Sequence, residues 1–313
     1  MTHRNAVLLM LLITTMWSSA GVVTRHLEAA QSFEVTFWRS AFNALALLIS
    51  LPLLRGRGVW RSFVTGGSPL WSRGICWTFM YTAFMIAIML TTVAQVLVTM
   101  AAAPLLAALF SWVFLKHRLP ARTWGAIAVA GVGIAWMFGH QLDGSQTTLT
   151  GSLVAVLVPI AGAANWTLMQ WLSQRAQRQA ESADDMRPHE AAEMPDMLPA
   201  VLIGAALSCA VTLPMAVPFQ ATGHDVGLLA LLGLFQLAVP CILAVRVSAV
   251  LPAAEMSLLG LLEVVLGVIW AWLWGGEHPG SAALVGGALV IGALAGNELL
   301  AMWKPAARGA RGA

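Results

Sequence analysis

Charge is scarce in this chain. Asp, Glu, Lys and Arg supply 10% of its 313 residues, against roughly 25% in soluble domains. Once the apolar runs are set aside, no stretch of useful size remains for a soluble domain. Cysteine is scarce too. Cys76, Cys209 and Cys241 each lie inside an apolar run, with no C-x-x-C or other ligand spacing. They read as inert core thiols, and no metal site is expected. The signatures of common enzymes are also missing. There is no GxxxxGK[ST] loop, so the chain does not power its work by hydrolysing nucleotides. The seven histidines form no HExxH cluster, and no G-x-S-x-G elbow occurs. No cofactor is expected. The formal charge of +3 is spread over short loops, which excludes a nucleic-acid-binding face.

Apolar sequence is what the chain has instead: 59% of residues are hydrophobic and the mean hydropathy is +0.78. Runs long enough to cross a bilayer recur from end to end. Ten helices are predicted, near residues 6–24, 33–54, 72–90, 94–115, 121–138, 150–172, 198–218, 227–249, 252–274 and 280–302. Each supplies roughly 17–25 residues, as a hydrocarbon core of about 30 Å requires. His3 and Arg4 precede the first run, which lacks a small-residue cleavage site and reads as an uncleaved helix. The polar stretch 173–197 mixes Arg175, Arg178 and Arg187 with Glu181, Asp184, Asp185, Glu190, Glu193 and Asp196. That composition favours disorder and reads as a cytoplasmic linker between helices six and seven.

With the N-terminus placed in the cytoplasm, 15 of the 17 Lys and Arg residues fall on the inner side. Arg25 lies outside and Arg39 lies within the second helix. The asymmetry implies that both termini are cytoplasmic, in a cytoplasmic membrane.

The chain also repeats itself. Residues 94–117, AQVLVTMAAAPLLAALFSWVFLKH, reappear altered in 255–277, EMSLLGLLEVVLGVIWAWLWGGE. At an offset of about 160 residues, Gln95 falls on Glu255, Trp112 on Trp272 and His117 on Glu277. Five helices per repeat is an odd number, so the second repeat enters the membrane from the other side. The expected fold is therefore an all-α polytopic membrane protein of ten transmembrane helices in two inverted five-helix repeats. The repeats occupy 1–145 and 146–303, and a basic tail follows at 304–313. Spanning helices, an internal repeat and a polar residue at mid-depth suggest a carrier.

Candidate site residues follow from the cost of polarity in lipid. Glu263 lies about 11 residues from either end of its helix, near the midplane, where a carboxylate faces a protein interior or a water-filled cavity. It is the candidate substrate and coupling residue, with a helix-tying hydrogen bond as the plainer reading. Arg39, roughly 9 Å below the outer boundary, could clamp a substrate carboxylate; the alternatives are snorkelling or a poorly spaced pair with Glu34. Trp17 and Trp166 occupy corresponding places in the two repeats, beside Ser18 and Asn165. Aromatic walls with a few amides suit an amphipathic metabolite. Tyr81, Gln95, Gln170 and Gln236 need partners in lipid, whether as cavity lining or as ties between helices. Glu255 complements the dipole of its helix, and Glu277 sits where the chain reverses, as part of a loop or a gate. Pro104, Pro159, Pro214 and Pro240 interrupt helices. Most tryptophans read as interfacial anchors.

The chain resembles the EamA-type transporters of the drug/metabolite transporter superfamily. The second repeat carries GLFQLAVPCILA (233–244), LPAAEMSLLGLLEVVLGVIWAWLWGGE (251–277) and LVGGALVIGAL (284–294). The first carries MWSSAGVVTRHL (16–27), FWRSAFNALALL (37–48) and WGAIAVAGVGIAWM (124–137). The family's Gly-Glu at the end of the fourth helix is Lys116-His117 here, and the Glu-Pro of the ninth is Glu263-Val264. The resemblance implies secondary transport of small-molecule metabolites, often export, without naming the substrate. The expected function is alternating-access transport of amino-acid-like or related metabolites within membrane lipid, with Glu263 pointing to a proton as candidate coupling ion. Multidrug efflux is the alternative within transport. A membrane-embedded enzyme or a scaffold is the alternative outside it. A passive channel would need a continuous polar file, and the polar residues are too sparse for one.

Overall fold

The computed structural model describes residues 1–56, 58–140, 146–182, 198–248 and 250–309. Ten helices among them are long and apolar enough to cross a membrane. They are α1 (His3–Thr24), α2 (Ser32–Arg55), α3 (Gly67–Leu90), α4 (Val93–Leu115), α5 (Ala121–Gly139), α6 (Leu149–Leu172), α7 (Leu198–Ala216), α8 (Gly223–Ser248), α9 (Glu255–Leu273) and α10 (Ser281–Met302). A short helix, Val59–Thr65, joins α2 to α3.

Caps and breakers account for the ends. Thr2 caps α1 through the amide of Asn5, and Thr92 caps α4 through that of Gln95. Thr222 and Asp225 form a capping box that starts α8 at Gly223, earlier than the apolar run suggests. α4 is broken at Ala102, just before Pro104. α8 contains a π-helical segment, Leu232–Ala238, in which Val239 donates to the Leu234 carbonyl. Pro240 follows it. Proline has no N–H and its ring crowds the carbonyl four residues back, here that of Gln236, which favours the wider turn here, whereas Pro52, Pro159 and Pro214 sit inside α-helices.

Two segments depart from the sequence expectation. The helix containing α6 runs Gln146–Ser182, so the first ten residues of the expected linker are helical. Gln, Arg, Ala and Glu there are good helix formers, and a helix already nucleated extends at little cost. The rest of that linker, 183–197, lies outside the described residues. The helix containing α10 likewise runs Ser281–Gly309, through most of the expected tail.

The inverted repeat is visible in the packing. Exchanging α1–α5 with α6–α10 maps each principal contact onto another. α1 packs on α9 as α6 packs on α4, and α3 on α6 as α8 on α1. α3 packs on α7 as α8 on α2, while α2–α7 and α5–α10 are their own counterparts. A chain of hydroxyls, Ser40 to Ser208 to Thr82, ties α2, α7 and α3 together inside the bundle. The start of α1 and the end of α10 lie at one end of the bundle, called here the terminal end, where His3 meets Glu255 and Arg122 donates to the Leu300 carbonyl.

Candidate binding cavity

At mid-depth, the helices enclose a cavity of about 290 Å³. α1 contributes Trp17, α2 Arg39 and α4 Met100. α3 contributes Trp77, Met80, Tyr81 and Phe84. Val158 and Trp166 come from α6, Gln236, Leu237 and Cys241 from α8, and Glu263 from α9. Six of the residues singled out in the sequence thus meet in one place: Glu263, Arg39, Trp17, Trp166, Tyr81 and Gln236. Asn165 and Gln95 are buried but lie off the lining.

Arg39 is 2% exposed, so its head stays inside rather than snorkelling. Its Nε and Nη2 both donate to Gln236 Oε1, at 3.2 and 2.8 Å. The guanidinium carbon lies 5.9 Å from the Tyr81 ring centre and 5.6 Å from that of Phe84, within cation–π range. Nη1 has no hydrogen-bond partner among the described residues. Glu34 is not the partner of Arg39. That carboxylate accepts the backbone N–H groups of Gln220 and Ala221, both at 2.9 Å, and so ties the start of α2 to the α7–α8 loop.

Glu263 is half-buried on the lining. It makes no hydrogen bond or ion pair with the described residues. One cavity therefore holds an arginine and a glutamate with no hydrogen bond or ion pair between them. Gln236 joins three helices, since its Nε2 also donates to the Trp17 carbonyl at 3.1 Å. Tyr81 lies against Trp77, with ring centres 5.3 Å apart. Trp270 donates to Ser18 Oγ at 3.0 Å, fixing α9 on α1 one residue from Trp17.

The other polar candidates serve as ties. Gln170 accepts from Ser111 Oγ at 2.6 Å, between α6 and α4. Glu255 pairs with His3 at the terminal end, at 2.8 Å. Glu277 accepts from Arg25 Nε at 3.1 Å and from the Val93 amide at 2.7 Å, while Arg25 Nη2 reaches the Thr91 carbonyl at 2.8 Å. Asp225 accepts the amides of Glu28, Ala29 and Ala30. The end opposite the termini is thus laced together by carboxylates that each hold several partners.

The sequence did not single out Trp77, Met80, Phe84, Met100, Val158, Leu237 or Cys241 as lining. On a spanning helix, an apolar side chain facing a cavity carries the same local signal as one facing lipid.

Residues 4–139 match the EamA-like transporter family. Members of this family are transporters rather than enzymes, and the ten apolar helices among the described residues make this chain a multi-pass membrane protein. A solved structure described as "Crystal structure of protein" has a TM-score of 0.57 and 21% identity, covering 96% of this chain and 99% of that chain. At that identity the likeness speaks for the fold alone. No curated protein matches the chain.

Proposed function

We propose that this EamA-type chain is a secondary carrier that exports a small, amino-acid-like metabolite across the cytoplasmic membrane, with both termini cytoplasmic. The observation that carries the reading is the separation of Arg39 and Glu263 within one cavity. Buried charges are tolerated when they are paired. Two that share a cavity without pairing keep their capacity for a ligand that bears both a carboxylate and an ammonium group. Arg39 would take the carboxylate and Glu263 the ammonium. Trp17, Trp77, Phe84, Trp166 and the thioethers of Met80 and Met100 would cover an apolar side chain.

The size of the cavity supports a small metabolite over a drug. About 290 Å³ lies at the lower limit of ligand pockets, which run to roughly 1,000 Å³. Orientation rests on the placement of basic residues at the terminal end. Glu263 is also the residue we assign to proton coupling, with substrate and proton competing for one carboxylate.

The test is counterflow in proteoliposomes, using labelled phenylalanine, threonine and a quaternary-ammonium dye. Saturable exchange of the amino acids, without exchange of the dye, is the expected result. Exchange of the dye alone would favour multidrug efflux. No exchange of any of the three would remove this reading.

A further inference from the structure

We propose that Gln236 is the positioning residue of the Arg39 anion anchor, and that the π-helical segment of α8 presents it for that role. The inference rests on the reading that Arg39 receives a ligand carboxylate. A guanidinium offers five donors in a rigid plane. Gln236 Oε1 holds two of them, on Nε and Nη2, and the rings of Tyr81 and Phe84 lie within range of the cation. The plane is therefore set by protein contacts before a ligand arrives. Nη1 remains without a partner among the described residues, in a side chain that is 2% exposed. It is the donor left for a carboxylate.

The backbone is built around this contact. Gly233 lies three residues before Gln236, at a close approach of α8 to α2. A Cβ there would sit 2.7 Å from the Arg39 carbonyl and 2.9 Å from the Asn43 amide nitrogen, so only glycine lets the two helices meet at this level. The π segment then turns Gln236 through a different angle from Gly233 than an α-helix would. Pro240 follows that segment and cannot donate to the Gln236 carbonyl, which favours the wider turn there. Gln236 Nε2 is anchored in turn on the Trp17 carbonyl. The amide thus cannot flip without losing contacts on both α1 and α2. An Arg39 without this acceptor would have two more buried donors to satisfy and a plane free to swing.

The test compares two probes that share a phenyl ring. Hydrocinnamate carries only a carboxylate and phenethylamine only an ammonium group. Transport KM and kcat would be measured for wild type, Gln236→Met and Gln236→Glu. Methionine keeps the length but removes the acceptor. Glutamate keeps the acceptor and lets the protein fold around Arg39, but neutralises the cation. We expect the KM for hydrocinnamate to rise on the order of tenfold in Gln236→Met, as loss of a charge-assisted hydrogen bond implies. It should rise further in Gln236→Glu. The KM for phenethylamine should not rise in either variant, and kcat should change little. Equal effects on both probes, or an effect on kcat alone, would mean that Gln236 only ties helices together and would overturn the proposal. An unchanged KM for hydrocinnamate would also overturn it. Failure of the underlying reading looks different: wild type itself would show no saturable transport of hydrocinnamate. Should Gln236→Met not yield folded protein, Gln236→Glu decides the question.

Discussion

The two ends of the bundle are built on one backbone and closed by different chemistry. After α9 the chain turns through Gly276, with φ of 65°, and the Glu277 amide reaches back to the Ala271 carbonyl at 3.1 Å. After α4 it turns through Lys116, with φ of 56°, and the His117 amide reaches back to the Ser111 carbonyl at 3.2 Å. The residue after the turn then meets a side chain from the first helix of a repeat or its immediate end. At the end opposite the termini that contact is an ion pair, Glu277 with Arg25, at 3.1 Å and with side chains 12% and 23% exposed. At the terminal end it is Gln174 with His117, an amide against an imidazole, at 3.0 Å. Partly desolvated charges hold each other more firmly than neutral groups near water. The pseudo-two-fold thus supplies equivalent latches, and the side chains make them unequal. Of these two equivalent contacts, the one at the opposite end is the stronger.

The largest effect is expected from weakening the stronger latch. Glu277→Gln removes the charge that Arg25 and the Val93 amide share. We predict that a cysteine placed at Ala94, buried beside Val93 at this end, becomes labelled by a membrane-impermeant maleimide on the order of tenfold faster in this background, because a shift of about 1.4 kcal/mol moves a two-state equilibrium by that factor. Unchanged labelling would mean that the ion pair does not hold this end closed. Strengthening the weaker latch should act in the opposite sense and less strongly. Gln174→Arg with His117→Glu would place an ion pair at the terminal end, and exchange in proteoliposomes should slow severalfold while each single variant has less effect. Additive single effects would deny the coupling. The smallest effect concerns the turn itself. Lys116 has the left-handed conformation that glycine adopts freely, at a cost to other residues of roughly 1 kcal/mol. Lys116→Gly should therefore raise the thermal midpoint by a few degrees in detergent, and Gly276→Lys should lower it. A fall in both would show that the lysine side chain matters more than its backbone.

Much of this architecture is legible in the amino-acid sequence. Apolar runs, tight joints and the distribution of arginines define ten spans, because a bilayer imposes length and polarity on every helix. The 160-residue offset between His117 and Glu277 points to the paired turns. The charged part of the cavity is legible for the same reason: Arg39 and Glu263 are costly at depth, so they call for a cause. Polarity also misleads, since it draws attention to Gln95 and Asn165, which are buried off the lining. The apolar walls leave no trace, because Met80 and Phe84 have the same local pattern as residues facing lipid. The π segment does carry a signal, Pro240 four residues after Gln236, although a proline in a spanning helix is common enough to pass as an ordinary kink. The helical continuation to Ser182 is masked by charge that suggests disorder, although the same residues favour a helix.

The central claim is that Arg39 and Glu263 recognise opposite ends of one small ligand. Equilibrium binding of hydrocinnamate and phenethylamine to purified wild type, Arg39→Gln and Glu263→Gln tests it most directly. The account predicts a crossed pattern. Arg39→Gln should lose hydrocinnamate and keep phenethylamine, while Glu263→Gln should lose phenethylamine and keep hydrocinnamate. Equal weakening of both probes by either substitution, in protein that remains folded, would contradict it.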